Sequence, residues 1–200
     1  MTDLSSPKRG RPRSESARRR VLAAARQLLQ ERGLPGVTVE GIAALAGVGK
    51  PTIYRHWPNA HAVAMDAFLE SAEANAPGVG RGLALPTLRR QLAAIAAAFA
   101  SPAGRSTAAL IAASQNDSEL AKVFRNRFIL KSRETGRALL LQAIEKGAIR
   151  TDIDVEVALD LIYAPLFFRL LIGHGPLDRA FTDTLLETVL QGLKGGAAPA

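Results

Sequence analysis

The chain has 200 residues, enough for one good core or for a small head and a larger body, and carries a net charge of +8. Cysteine is absent, which excludes disulfides, thiolate metal sites and a cysteine nucleophile, and the histidines at 56, 61 and 174 lack metal-ligand spacing. No signal-peptide core is visible and the longest uncharged run, Gln91 to Gly104, is too short to span a bilayer, so the expectation is a cytoplasmic protein with no membrane, metal or cofactor partner.

The charge is unevenly placed. Residues 1–60 hold eleven Lys/Arg against four Asp/Glu, a net +7, whereas residues 61–200 are almost balanced. A basic end on a balanced body points to a polyanion, with nucleic acid ahead of an anionic membrane, although a basic tail can also serve only solubility.

Residues 1–13 are polar, rich in Pro and Gly and without apolar periodicity, which predicts a flexible basic arm. Ser14 can cap a first helix in which Val21, Leu22, Ala25, Leu28 and Leu29 recur at helical spacing until Gly33. Thr38 is a good N-cap for a second helix of about two turns, stopped by Gly47. Pro51 suits the first turn of a third helix, expected from the proline to near Trp57 and docked through Ile53 and Trp57. Asn59 can cap a fourth helix running towards Asn75, and "APGVGRGLALP" reads as a loop. Beyond it, apolar spacing predicts helices over 86–100, 105–115, 118–146, 155–173 and 179–193, with no alternating strand pattern. The fold class is all-α, with about nine helices and three parts: an arm over 1–13, a head over 14–60 and a body over 61–200.

Two short helices joined by "AGVG" form a helix-turn-helix. With Ile53 and Trp57 assigned to its core, the third helix presents Lys50, Thr52, Arg55 and His56, with Tyr54 beside them. A helix of this size fits the major groove of double-stranded DNA, where such side chains reach base edges or phosphates. An ordinary helical hairpin with a solvated polar face is the plainer alternative, and the charge asymmetry disfavours it.

The segment "GVTVEGIAALAGVGKPTIYRHWPN" resembles the DNA-binding head of the TetR/AcrR-type transcriptional regulators, in its glycine before Thr-Val, its "IA..AGV" and its "IY.HW" ending. The resemblance covers residues 14–63. It implies that Thr38 caps helix two and binds phosphate, that Lys50, Pro51 and Thr52 approach bases, and that Tyr54 and His56 contact the backbone, with Val39, Gly49 and Arg55 completing the DNA-binding set. Gly49 stands where a serine or threonine is commoner, and Ala60 where a lysine is frequent, so part of the usual phosphate clamp is missing. "KRGRPR" resembles an AT-hook core, which would put Lys8, Arg9, Arg11 and Arg13 in a narrow minor groove; a solvated tail is the alternative.

The body carries aromatics on several helices, which at helical spacing usually only pack. The resemblance adds a pocket for an apolar or amphipathic small-molecule effector, with Phe99, Gln115, Phe124, Arg127, Phe128, Tyr163 and Phe167 as candidate lining. It also implies a homodimer through 155–173 and 179–193, whose apolar faces look wider than a monomer should expose. The function implied is a sequence-specific transcriptional regulator, a repressor released from a palindromic operator by its effector. A basic architectural or ligand-binding protein that binds DNA without sequence choice is the competing reading. No catalytic constellation is recognisable, His174 lying alone between two glycines, so no enzyme is expected.

Overall fold

The structure is a computed structural model that describes residues 11–76, 83–113 and 119–194, without the side chains of 11–14, 107 and 109–113. Lys8, Arg9 and Gln115 therefore lie outside the described residues, as do most of the expected glycine-rich loop and the side chains of Arg11 and Arg13. Every regular element among the described residues is helical, with no strand. Two compact units, Met1–Ala67 and Phe68–Ala200, divide the chain, the boundary falling inside its fourth helix.

In the first unit, α1 (Arg11–Arg32) starts three residues before the expected cap at Ser14. Pro12 permits this, because a proline in the first helical turn gives up only an N–H that would have no intrahelical partner. Arg11 and Arg13 thus belong to a helix and not to an extended arm. Gly33 ends α1 with φ 66°, and a short 3-10 turn (Leu34–Gly36) follows. A Cβ on Gly36 would lie 2.3 Å from the Arg32 Cβ, so this turn requires glycine at its close.

The second helix, α2 (Val39–Ala46), is capped as expected: Thr38 Oγ1 accepts from the Gly41 N–H at 3.0 Å, and Gly47 closes it in the left-handed region at φ 61°. The Val48 N–H then donates to the Ala43 carbonyl at 3.1 Å, turning the chain into α3 (Lys50–Tyr54). This helix is shorter than the expected span to Trp57 and begins one residue earlier, with Gly49 as its N-cap. Lys50 is helical despite the steric bias of the following proline, which at the second position still removes no helix bond. Val21, Leu22, Leu29, Ile42, Ile53 and Val63 are almost wholly buried, and burial of each such side chain contributes about 1.5–3 kcal/mol.

The fourth helix, α4 (Ala60–Asn75), is capped by Asn59, whose Oδ1 accepts from the Ala62 N–H at 2.9 Å. In the second unit, α5 (Ala84–Ala100) is the central rod, burying Leu88, Leu92, Ile95 and Phe99 and packing against α6 (Pro102–Ala113), α8 (Lys131–Glu145), α9 (Val155–Ile172) and α10 (Arg179–Leu193). The α5–α6 corner is tight: a Cβ on Gly104 would stand 2.2 Å from the Ala98 carbonyl oxygen. The Ser101 hydroxyl completes the corner, donating to Ala98 at 2.6 Å and accepting from the Gly104 N–H at 3.0 Å.

The single helix expected over 118–146 is continuous but not uniform. It comprises α7 (Glu119–Phe124), a π turn (Arg125–Leu130) and α8, with right-handed dihedrals at both junctions. Gly147, at φ 69°, follows its end. Asp154 caps α9, accepting from the N–H groups of Glu156 and Val157, and Asp178 caps α10, accepting from that of Phe181. These ends match their expected positions to within a residue.

Candidate nucleic-acid interface and body cavities

The helix-turn-helix sorts the expected DNA-facing residues by exposure. Pro51, Tyr54, Arg55 and His56 are exposed, as are Thr38 and Gly49, whereas Thr52 is half-buried and the Val39 side chain is buried. Val39 can therefore offer DNA little beyond its main-chain N–H at the start of α2, which suits a phosphate oxygen. Ile53 and Trp57 are buried together, as the docking role requires.

Three polar contacts in this unit are not legible in the motif. The Trp57 indole N–H donates to Asp66 Oδ2 at 3.0 Å, and Arg18 NH2 approaches the same oxygen at 3.3 Å, so α1, the end of the reading segment and α4 meet at one carboxylate. His56 packs edge-on against the Trp57 ring, with centroids 5.5 Å apart. On the exposed side, Lys50 Nζ donates to Glu40 Oε1 at 2.5 Å. That bond is the main reason the Glu40 carboxyl is held below its usual range and the Lys50 ammonium above its own.

In the body, four of the candidate pocket residues converge. Phe128 stacks on Phe124 with centroids 5.2 Å apart and meets Phe99 at the same distance, while Phe99 meets Phe167 at 5.0 Å. Phe68, which sequence reasoning did not select, closes on Phe128 at 5.8 Å. A cavity of about 250 Å³ adjoins this cluster, lined by Ile95, Phe128, Ile129, Ser132, Arg133, Asp160, Tyr163, Ala164 and Phe167. A smaller one of about 90 Å³ shares Ile95, Phe128 and Ser132 with it and extends past Gln91 and Ala94 to Glu73 and Arg127. Arg127 does not project freely into either space, because its guanidinium is paired with Glu73 at 3.2 Å.

Tyr163 sits at a buried polar node beside these cavities. Its hydroxyl lies 2.9 Å from Gln91 Oε1 and 3.0 Å from the Ser132 carbonyl, which also accepts from Gln91 Nε2 at 3.0 Å. Burial pushes the phenol above its usual range, so it stays protonated as a donor. Gly136 makes room for it, since a Cβ there would lie 2.3 Å from the Tyr163 oxygen. Gln91, like Phe68, was missed by sequence reasoning; its signal was a lone amide at the head of the apolar run "QLAAIAAAFA".

The two C-terminal helices expose different surfaces. On α9, Val157, Leu161, Phe168, Leu171 and Ile172 are all at least half exposed, a stripe at three- and four-residue spacing. On α10 Leu186, Leu190 and Leu193 are buried, Phe181, Leu185 and Val189 are half-buried, and the exposed positions are Arg179, Ala180, Thr184, Glu187, Thr188, Gln191 and Gly192. The large apolar residues of this α9 stripe are thus exposed, and those of α10 are half-buried or buried. No described helix is long and apolar enough to cross a membrane.

Two families match separate parts of the chain. Residues 21–64 match the family "Bacterial regulatory proteins, tetR family", and residues 86–189 match "Tetracyclin repressor-like, C-terminal domain". The chain is 38% identical over 191 residues to an "Uncharacterized HTH-type transcriptional regulator YdeS" of Bacillus subtilis, covering 96% of both proteins. It is 30% identical over 186 residues to a "DNA-binding transcriptional repressor TetR" of Mycobacteroides abscessus, covering 89% of this chain and 94% of that one. Among solved structures it resembles the TetR family transcription regulator SCO0332, with a TM-score of 0.73 and 33% identity over 90% of this chain and all of that one. The chain belongs to the TetR family of helix-turn-helix, DNA-binding transcriptional regulators.

Proposed function

We propose that the protein is a homodimeric repressor that occupies a near-palindromic operator and is released by an apolar or amphipathic small molecule bound in the body. The observation that carries this reading is the cavity of about 250 Å³ walled by Ile95, Phe128, Ala164 and Phe167, with Ser132 and Tyr163 at its polar end beside an Arg133 held by Glu156 and Asp160, in a chain whose other unit carries the helix-turn-helix. The effector would settle on the aromatic wall and present one polar group to that end.

The α9 stripe supports the dimer. Large apolar residues at such spacing suit a second copy across a two-fold axis, and the small exposed Thr184, Thr188 and Gly192 of α10 permit close approach of a neighbouring helix. Two-fold symmetry then places two α3 helices in successive major grooves, about 34–36 Å apart. An effector that binds better to a body conformation ill matched to that spacing weakens operator binding by its differential affinity, of order 1–3 kcal/mol, or about 5- to 150-fold. The repressor direction is favoured by the M. abscessus relative.

The DNA contacts assigned to this reading are Thr38 and the Val39 N–H on phosphate, Lys50, Pro51 and Thr52 at base edges, and Tyr54, Arg55 and His56 on the backbone. Lys8, Arg9, Arg11 and Arg13 add charge near the N-terminus. The competing reading, DNA binding without sequence choice, is separated by competition: a regulator prefers its selected duplex over random DNA by about 10³-fold or more. A ratio near one would establish the architectural alternative.

A further inference from the structure

Glu40 is the one acidic residue between Arg32 and Asp66. It stands in the first turn of α2, and its carboxylate accepts from Nζ of Lys50, ten residues on, at 2.5 Å. Both side chains are exposed, at 64% and 51%, on the surface that carries the reading residues. An exposed ion pair of this kind adds little to stability. A carboxylate near phosphates, however, opposes DNA binding unless it meets a donor. A donor of that kind exists on the floor of the major groove.

We infer that Glu40 and Lys50 form one reading unit for a G·C base pair, which makes Glu40 a specificity-determining residue of the head. The inference rests on the DNA-binding reading of this unit. In the major groove a G·C pair presents two acceptors, guanine N7 and O6, followed by one donor, the cytosine N4 amino group. Lysine is suited to the first two and a carboxylate to the third. Guanine O6 and cytosine N4 are hydrogen-bonded to each other within the base pair and therefore stand about 2.9 Å apart. The 2.5 Å between Lys50 Nζ and Glu40 Oε1 is close to that separation, so the ammonium can face O6 and N7 while the carboxylate takes N4. Lys50 retains two further N–H donors for this, and Glu40 retains its second oxygen. On an A·T pair the carboxylate can accept from adenine N6, but the ammonium then meets one acceptor, N7, instead of two. A phosphate, having no donor, repels Glu40, so the same residue penalises misplaced binding.

The test uses the full chain and a duplex library with a randomised centre, with bound sequences recovered and counted for the wild type, Glu40→Ala, Glu40→Gln and Lys50→Met. The wild type is expected to require G·C at one position of each half-site. Glu40→Ala and Lys50→Met should both lose that preference, by about 5- to 150-fold, and leave the other positions unchanged. Glu40→Gln, which keeps an acceptor oxygen, should retain part of it. If Glu40→Ala selects the same sequences with the same preferences and differs only by a uniform change in affinity, Glu40 is a surface acid and the inference is overturned. If the wild type requires a G·C pair that Lys50→Met loses and Glu40→Ala keeps, lysine reads alone and the pairing is overturned. If the wild type itself enriches no sequence, the DNA reading fails, and this inference with it.

Discussion

Trp57 and Asp66 are joined by a 3.0 Å hydrogen bond from the indole N–H to Oδ2. Trp57 is 5% exposed, and the same oxygen also faces Arg18 at 3.3 Å, so one carboxylate positions the tryptophan that closes the reading segment. Removing it leaves a donor in a largely buried place without a partner, at about 1–3 kcal/mol. Asp66→Ala is expected to lower the melting temperature by several degrees and to shift the emission of Trp57, the chain's one tryptophan. Operator affinity should fall with it, although Asp66 touches no DNA in this account. Calorimetry and fluorescence on the same sample measure both effects.

Gly136 and Tyr163 form a second pair whose dependence can be measured. An alanine at 136 gains up to about 1 kcal/mol of helix propensity, but its Cβ would sit 2.3 Å from the phenolic oxygen. The clash should win, at a net cost of about 1–3 kcal/mol. Adding Tyr163→Phe removes the oxygen and should restore part of the loss, so that the double variant is more stable than Gly136→Ala alone. Denaturant unfolding of the two single variants and the double variant gives the coupling directly.

The exposed stripe on α9 predicts the effect of a charge placed on it. Leu161→Glu and Phe168→Glu change residues that are 52% and 58% exposed, so neither should unfold the subunit. Each should yield a monomer at concentrations where the wild type is a dimer, because an unpaired charge would be buried across the two-fold axis. Light scattering at micromolar concentration reads the mass, and operator binding should fall in parallel.

The basic N-terminal residues should appear in the salt dependence. Lys8→Ala with Arg9→Ala removes two cations and leaves α1, which begins at Arg11, intact. If each neutralises a phosphate, the log–log slope of affinity against salt becomes shallower by about 0.9 per contact. An unchanged slope would mean that these residues do not touch the DNA.

Where the chain signals its own structure locally, sequence reasoning located it well. Thr38, Gly47 and Asn59 act at helix ends, and a helix end is decided by a few neighbouring residues. The start of α1 was placed too late because residues 11–13 carry no apolar periodicity, although Pro12 is permissive in a first helical turn. The π turn at Arg125–Leu130 has no compositional signature, being a matter of how the helix settles on its neighbours. The aromatic cluster was legible as a set of residues, but its geometry was not. Contacts such as Tyr163 with Gln91, or Arg127 with Glu73, join residues more than fifty positions apart and depend on how the helices pack. The pairing of Lys50 with Glu40 was missed for the same reason, since the motif assigned Lys50 to DNA without asking which acid the preceding helix would bring beside it.

Selection of bound duplexes from random DNA by the purified chain tests the central claim most directly, because it measures sequence choice and symmetry together. The expected result is an enriched near-palindrome whose half-site centres lie about one turn of DNA, or a whole multiple of it, apart. Enrichment of no sequence, or of a single half-site without a symmetric repeat, would contradict it.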